Sequence, residues 1–156
     1  MAIFVGEFDQ TIDTKHRLAI PSAFRDQLDP SEDGADFLVI LGPDNYLWMY
    51  ATKFYERLVA PLLNNPLPTR RNQRRDLMFA LARVVKPDGQ GRVVIPEKCL
   101  KRARIDKHMT LVGKGHHIEL WPTAEWEKFV TESMPRYGED LYEAGDQWQA
   151  AQADDN

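Results

Sequence analysis

Two short stretches of this chain place an aspartate four residues ahead of an arginine: Asp13-Thr14-Lys15-His16-Arg17 and Asp88-Gly89-Gln90-Gly91-Arg92. A short carboxylate at the end of a strand readily accepts N–H bonds from the backbone that turns after it. That fixes a tight turn and projects the side chains at its tip. Asp13 and Asp88 are placed to shape such loops, and Gly89 and Gly91 can supply positive φ in the second. Each arginine has two uses. It can pair with its own aspartate, or it can reach outward, where its planar fork matches phosphates and guanine edges. A surface ion pair contributes only roughly 0–1 kcal/mol, a thin motive for having the device twice.

The turns belong to a longer repeat, and a repeat sets the architecture. Asp13 to Pro21 lies over Asp88 to Pro96 at an offset of 75. Further on, at an offset of 71, Leu38-Val39-Ile40-Leu41-Gly42 lies over Met109-Thr110-Leu111-Val112-Gly113. Leu47, Met49, Tyr50, Tyr55 and Leu58 then match Ile118, Leu120, Trp121, Trp126 and Phe129. In each copy a polar turn leads into an aliphatic run ended by proline, which cannot donate to a sheet ladder. A short helix follows, with Phe24 and Leu28, or Cys99 and Ala103, on its inner face. Two strands come next, joined at Gly42-Pro43-Asp44-Asn45 or Gly113-Lys114-Gly115-His116. A helix then begins near Thr52 or Thr123, each a candidate N-cap. Between the copies, Asn64 to Pro68 reads as a loop. The spacing of Leu77, Leu81 and Val84 predicts a helix over 69–85, with Pro87 beyond its end.

One such copy is too small to bury its apolar surface alone, whereas two can interlock around a shared core. The expected fold class is α+β: a β-rich pseudo-dimer with short flanking helices. Its expected parts are a first repeat over 1–63, a linker and helix over 64–86, a second repeat over 87–133, and an acidic tail over 134–156.

Composition bounds the function. The net charge is −4, yet from Tyr137 onward there are six acids and no Lys or Arg. Taking those six charges from the net of −4 leaves +2 on residues 1–136. An acidic tail masks a mildly basic body, which permits nucleic-acid binding. The N-terminal stretch lacks the pattern of a signal peptide, no run is apolar enough to span a bilayer, and the lone Cys99 allows no internal disulfide. The expectation is a cytoplasmic protein.

The other candidates read as packing or solvated surface. Arg70, Arg71, Arg74 and Arg75 share one arc of the expected linker helix, opposite its apolar side. Cys99 takes a small core position. His116-His117 sits in a hairpin with no cysteine or acidic partner at ligand spacing. Trp48, Tyr50, Trp121 and Trp126 are best explained by core packing rather than base stacking. In the tail, Leu141, Tyr142 and Trp148 either dock on a neighbouring subunit or belong to a disordered acidic segment. No acid–base pair, nucleophile–base set or phosphate-cradling glycine loop appears at usable spacing, so an enzyme is not expected.

The pattern Phe4-x-Gly6, Asp13-x-Lys15-x-Arg17-Leu18-x-Ile20-Pro21 and Asp88-Gly89-x-Gly91-Arg92 resembles the MraZ family. So do Leu111-Val112-Gly113 and Ile118-Glu119-Leu120-Trp121. These bacterial transcription regulators are related to the AbrB and MazE swapped-hairpin DNA binders. The resemblance covers roughly residues 1–133 and implies a pseudo-dimer of AbrB-like halves. It further implies ring-shaped homo-oligomers bound to repeated boxes of double-stranded promoter DNA upstream of the division and cell-wall operon, usually including the regulator's own gene. On that basis the protein is a nucleoid-associated repressor with no cofactor, metal, membrane or small-molecule substrate. Lys15, Arg17 and Arg92 carry over by position as DNA contacts, and Gln90 stands where copy one has Lys15. The family's first motif usually has glycine where this chain has His16; if that glycine takes positive φ, His16 must accept some strain or a slightly different turn. The alternative function is an interaction module that holds a protein partner, as an antitoxin-like protein holds its toxin.

Overall fold

The computed structural model describes residues 1–71 and 75–155. Its eight strands are β1 (Glu7–Thr11), β2 (Arg17–Ala19), β3 (Phe37–Leu41), β4 (Leu47–Ala51), β5 (Arg83–Val85), β6 (Arg92–Val94), β7 (His108–Gly113) and β8 (Ile118–Pro122). They form a six-stranded antiparallel sheet in the order β1-β7-β8-β4-β3-β5 and a two-stranded ribbon, β2-β6. The fold is α+β, as expected.

Strand order shows how the copies interlock. The β3–β4 and β7–β8 hairpins each stay within one repeat. Every other ladder crosses between repeats once β5, which lies ahead of the expected start of the second repeat, is counted with it: β1 with β7, β5 with β3, β4 with β8, and β2 with β6. Exchanging the copies turns the sheet order into itself read backwards, which makes the chain a pseudo-dimer with swapped first strands. Phe4, Leu18, Ile20, Phe24, Phe37, Val39 and Met49 from copy one pack with Val93, Ile95, Met109, Leu111, Ile118 and Leu120 from copy two in one buried cluster. Cys99 belongs to that cluster too, and its burial pushes the thiol pKa up.

The helices are α1 (Ser22–Arg25), α2 (Thr52–Val59), α3 (Asp76–Ala80), α4 (Glu97–Arg102), α5 (Thr123–Ser133) and α6 (Tyr137–Asp154). Pro21 and Pro96 stand immediately before α1 and α4 and separate each from its strand. Phe24 and Cys99 are buried as expected, but α1 is a single turn and Leu28 lies beyond it.

Two local expectations are corrected and one open alternative is decided. The helix expected over 69–85 is the short α3 followed by strand β5. The apolar stripe that suggested it does not face a core, since Leu77 is 65 % and Val84 54 % exposed. The β-branched pair Val84-Val85 instead pairs with Leu38 and Phe37 at the sheet edge. Thr52 does not cap α2: it is the first helical residue, and its buried hydroxyl has no hydrogen-bond partner among the described residues. Of the two readings of the acidic tail, the disordered one is set aside. Residues 124–155 form a separate unit containing the 18-residue α6. Tyr137, Leu141, Ala144 and Trp148 recur at helical spacing on one side of α6, with Glu139, Glu143 and Asp146 opposite. Among the described residues no helix is long and apolar enough to cross a membrane.

Candidate nucleic-acid interface

In the first loop, Asp13 Oδ1 accepts the backbone N–H bonds of Lys15 (2.8 Å) and Arg17 (2.9 Å). In the second, Asp88 Oδ1 accepts those of Gln90 (2.8 Å) and Arg92 (3.0 Å). The other carboxylate oxygen takes the arginine: Arg17 Nε donates to Asp13 Oδ2 at 2.6 Å, and Arg92 Nε to Asp88 Oδ2 at 3.0 Å. Each aspartate thus saturates its own turn, as its type and position suggested.

The two uses foreseen for the arginines are compatible. Both guanidinium groups are gripped from the side, through Nε. Neither terminal nitrogen of Arg17 or Arg92 makes a hydrogen bond or ion pair among the described residues. Such an arginine presents its fork already oriented, losing less side-chain freedom when it meets an oxyanion or a guanine edge.

The ribbon sets where those forks point. In the β2–β6 register Arg17 lies opposite Val94, Leu18 opposite Val93 and Ala19 opposite Arg92. Leu18 and Val93 are fully buried. Side chains alternate across a strand, so Arg17, Ala19, Arg92 and Val94 share the other face, with both arginines on one diagonal. Lys15 and Gln90 are exposed at the tips, and neither side chain has a polar partner among the described residues. The four side chains assigned to reach outward therefore converge on one ribbon and its two loops.

The loops hold one another across the pseudo-twofold axis. His16 carbonyl accepts the N–H of Ile95 at 2.9 Å, and Gly91 carbonyl accepts that of Ile20 at 3.0 Å. His16 and Gly91 are equivalent, and both are left-handed, with φ of +60° and +75°. Of the two outcomes expected at His16, strain or a different turn, the positive φ gives the first. His16→Gly should raise stability by about 1 kcal/mol, the usual cost of a Cβ in this region, read as a higher melting temperature. Gly91→Ala should do the reverse, because the strained Cβ would also meet a guanidinium. It would lie 2.6 Å from both Cζ and Nε of Arg25. Arg25 sits there because its Nε donates to the Ile20 carbonyl at 2.9 Å. Sequence reading passed over Arg25; the available signal was that its counterpart in copy two is Leu100, a charge facing an aliphatic across the repeat.

Hydrogen bonds also set the response to acid. The backbone N–H of Arg17, with further bonds from its side chain and from Lys15, holds the Asp13 carboxyl below the ordinary 3.8, against a smaller opposing effect of desolvation. Asp88 is lowered in the same way, first by the backbone N–H of Arg92 and then by that of Gln90. A carboxylate whose pKa is lower folded than unfolded stabilises the fold above its unfolded pKa, and that contribution disappears as pH falls through the folded value. Both loops should therefore stay ordered down to pH 3.8 and come apart below it. The test is an NMR pH titration of the Lys15, Arg17, Gln90 and Arg92 amides, and midpoints above 3.8 would contradict this account.

The remaining candidates lie away from the ribbon. Arg70 and Arg71 are exposed, Arg75 donates to the Leu62 carbonyl, and Arg74 is outside the described residues. His117 does have an acidic partner, contrary to expectation. Its Nε2 is 2.8 Å from Glu119, two residues along the same strand face. Glu119 is buried and also accepts the Trp121 indole N–H at 2.9 Å; although burial opposes its charge, these contacts keep its pKa below the usual value. Trp48 stacks on His117, while Tyr50 and Trp121 are buried, so these aromatics serve packing. Among the described residues no His, Cys, Asp and Glu cluster could hold a metal ion.

Topology and loops together define a swapped-hairpin pseudo-dimer presenting two aspartate-shaped, arginine-bearing turns on one face. The family model of MraZ proteins, described as antitoxin-like, matches residues 3–76 and again 78–139, one match per repeat. The chain belongs to the MraZ family. It is 36 % identical to the transcriptional regulator MraZ of Pediococcus pentosaceus over 137 residues, covering 86 % of this chain and 92 % of the relative. It is 34 % identical to that of Lactiplantibacillus plantarum over 143 residues (90 % and 96 %), and 33 % identical to that of Moorella thermoacetica over 137 residues (86 % and 92 %).

Proposed function

We propose that this protein is a DNA-binding transcription regulator whose β2–β6 ribbon and flanking loops meet the major groove. One observation carries the reading: Asp13 and Asp88 hold Arg17 and Arg92 through Nε, leaving two oriented forks without a partner among the described residues on one face. A two-stranded ribbon fits the major groove, where an arginine fork reads guanine O6 and N7. Lys15 adds a phosphate contact, and Gln90 has the donor and acceptor pair that suits adenine. The names of the relatives support the regulatory role.

The finer reading is repression from repeated boxes upstream of its own gene within the division and cell-wall cluster, by a ring of subunits in the cytoplasm, on the nucleoid. One ribbon offers few cations, so a lone subunit binds weakly; a ring engaging tandem boxes gains affinity by effective concentration. The protein is titrated onto a duplex covering its own upstream region and onto a scrambled duplex, across salt. Tighter binding to the first, with affinity falling steeply as salt rises, supports the proposal. Equal affinity for both, or indifference to salt, would rule it out. Tandem boxes binding no tighter than one box would remove the ring.

A protein-partner reading draws on the exposed apolar side of α6, where Tyr137, Leu141 and Trp148 are open to solvent. Deleting residues 137–156 separates the two, since groove reading by the ribbon survives that deletion and partner capture through α6 does not.

A further inference from the structure

We infer that Arg25 is a third DNA-contacting arginine: a phosphate clamp at the flank of the second loop, supplied to copy two's loop by copy one. The inference rests on the DNA-binding reading above and extends it to a residue outside both Asp-x-x-x-Arg motifs.

The geometry begins at Gly91. This residue is left-handed and buried, and its carbonyl is bonded to the Ile20 N–H across the ribbon end. The space a side chain would take there is filled by Arg25, whose Cδ, Nε and Cζ all lie within 2.9 Å of where a Cβ would stand. Arg25 Nε is tied to the Ile20 carbonyl at 2.9 Å. Its two terminal nitrogens have no hydrogen bond or ion pair among the described residues, and the residue is exposed. The device of the loops thus occurs a third time: an arginine fixed through Nε, with its fork open. Here a backbone carbonyl does the fixing in place of a carboxylate, and among the described residues no carboxylate pairs with the guanidinium.

The repeat strengthens the assignment. At the position equivalent to Arg25, copy two has Leu100, which is 4 % exposed; at the position equivalent to Gly91, copy one has His16. Loop one carries its own side chain, and the arginine's counterpart in copy two is an aliphatic residue. The other carries none and receives a guanidinium from the partner repeat. Loop two also has the neutral Gln90 where loop one has Lys15. With Arg25 counted, each loop region holds two permanent cations, Lys15 with Arg17 and Arg25 with Arg92. A role confined to holding the α1 turn onto β2 needs the Nε–carbonyl bond but not the open fork, and that difference is measurable.

The experiment measures binding of the full chain to the duplex of its own upstream region and to a scrambled duplex across salt, for wild type, Arg25→Ala, Arg25→Lys and Arg92→Ala, with thermal melts of each. A phosphate contact carries no sequence information. Arg25→Ala should therefore weaken both duplexes by a similar factor and reduce the salt slope by about one per engaged subunit, and Arg25→Lys should restore most of that slope. Arg92→Ala should weaken the cognate duplex more than the scrambled one. If Arg25→Ala binds with the wild-type slope while Arg92→Ala is impaired, the clamp is refuted and the ribbon reading stands. If Arg25→Ala and Arg25→Lys lose affinity equally, with matching falls in melting temperature, the residue is purely structural and the clamp is again refuted. If Arg92→Ala is also unaffected, the ribbon reading fails and takes the clamp with it.

Discussion

Replacing Arg17 and Arg92 together with alanine should remove specific DNA binding while leaving the fold intact. Each bidentate arginine–guanine contact is worth about 1–3 kcal/mol of discrimination, so either single substitution should cost roughly tenfold or more in affinity for the cognate duplex. In an oligomer the loss repeats in every engaged subunit, and the double variant should fall to the level of unrelated DNA. Stability should hardly change. Both side chains lie on the outer face of the ribbon, the buried pair Leu18 and Val93 is untouched, and each aspartate keeps its backbone N–H bonds. Melting temperature, measured beside a binding titration in a salt series, separates these effects. A double variant that melts like wild type and still binds its own upstream duplex specifically would end the case for the ribbon. Gln90→Ala should show a smaller effect, lowering discrimination between sequences with little change in salt slope, because its amide is neutral.

Most of this site was legible in the sequence because its parts are local. An aspartate's reach to N–H groups two and four residues on is set by the turn itself, so Asp13 and Asp88 could be assigned their roles without knowing what surrounds them. That each arginine is gripped through Nε with its terminal nitrogens free is a matter of side-chain rotamer, which spacing does not encode. Arg25 was hidden for a different reason. Its meaning comes from a contact across the two copies, between one repeat's helix and the other's glycine.

The fold shows the same division. The hairpins β3–β4 and β7–β8, with glycine-bearing turns between aliphatic runs, were readable. Strand β5 was misread as the end of a helix because Leu77, Leu81 and Val84 mimic a helical stripe. The repeat held the correction: carried backwards at the offset of 75, β1 maps onto 82–86, which brackets the observed Arg83–Val85. The tail's two readings, docked or disordered, could not be separated by its charge, although its acids and its Tyr137, Leu141 and Trp148 are spaced for opposite faces of one helix.

Cutting the chain between its repeats should abolish the fold of each part as a monomer. In residues 1–76, β1 has no β7, β2 has no β6 and β3 has no β5; residues 77–156 suffer the converse losses. What each half retains is one hairpin, and an isolated two-stranded hairpin is marginal in water. The core divides as badly, because Leu18 and Ile20 bury themselves among Val93, Ile95 and their neighbours from the other copy. Each half alone should lack a cooperative melt and should exchange the Leu18 or Val93 amide freely, whatever helical signal α5 and α6 contribute to the second. Mixing the halves should restore both properties. Because the copies share one topology, a half can recover partly by pairing with itself, but that recovery must depend on concentration. A single half that melts cooperatively as a monomer would show that the crossed ladders are not what makes the repeats interdependent. Failure of the halves to reassociate when mixed would point instead to the covalent connection through residues 64–82, with its loop-closure advantage, as a necessary part of forming the ribbon on which Arg17 and Arg92 stand.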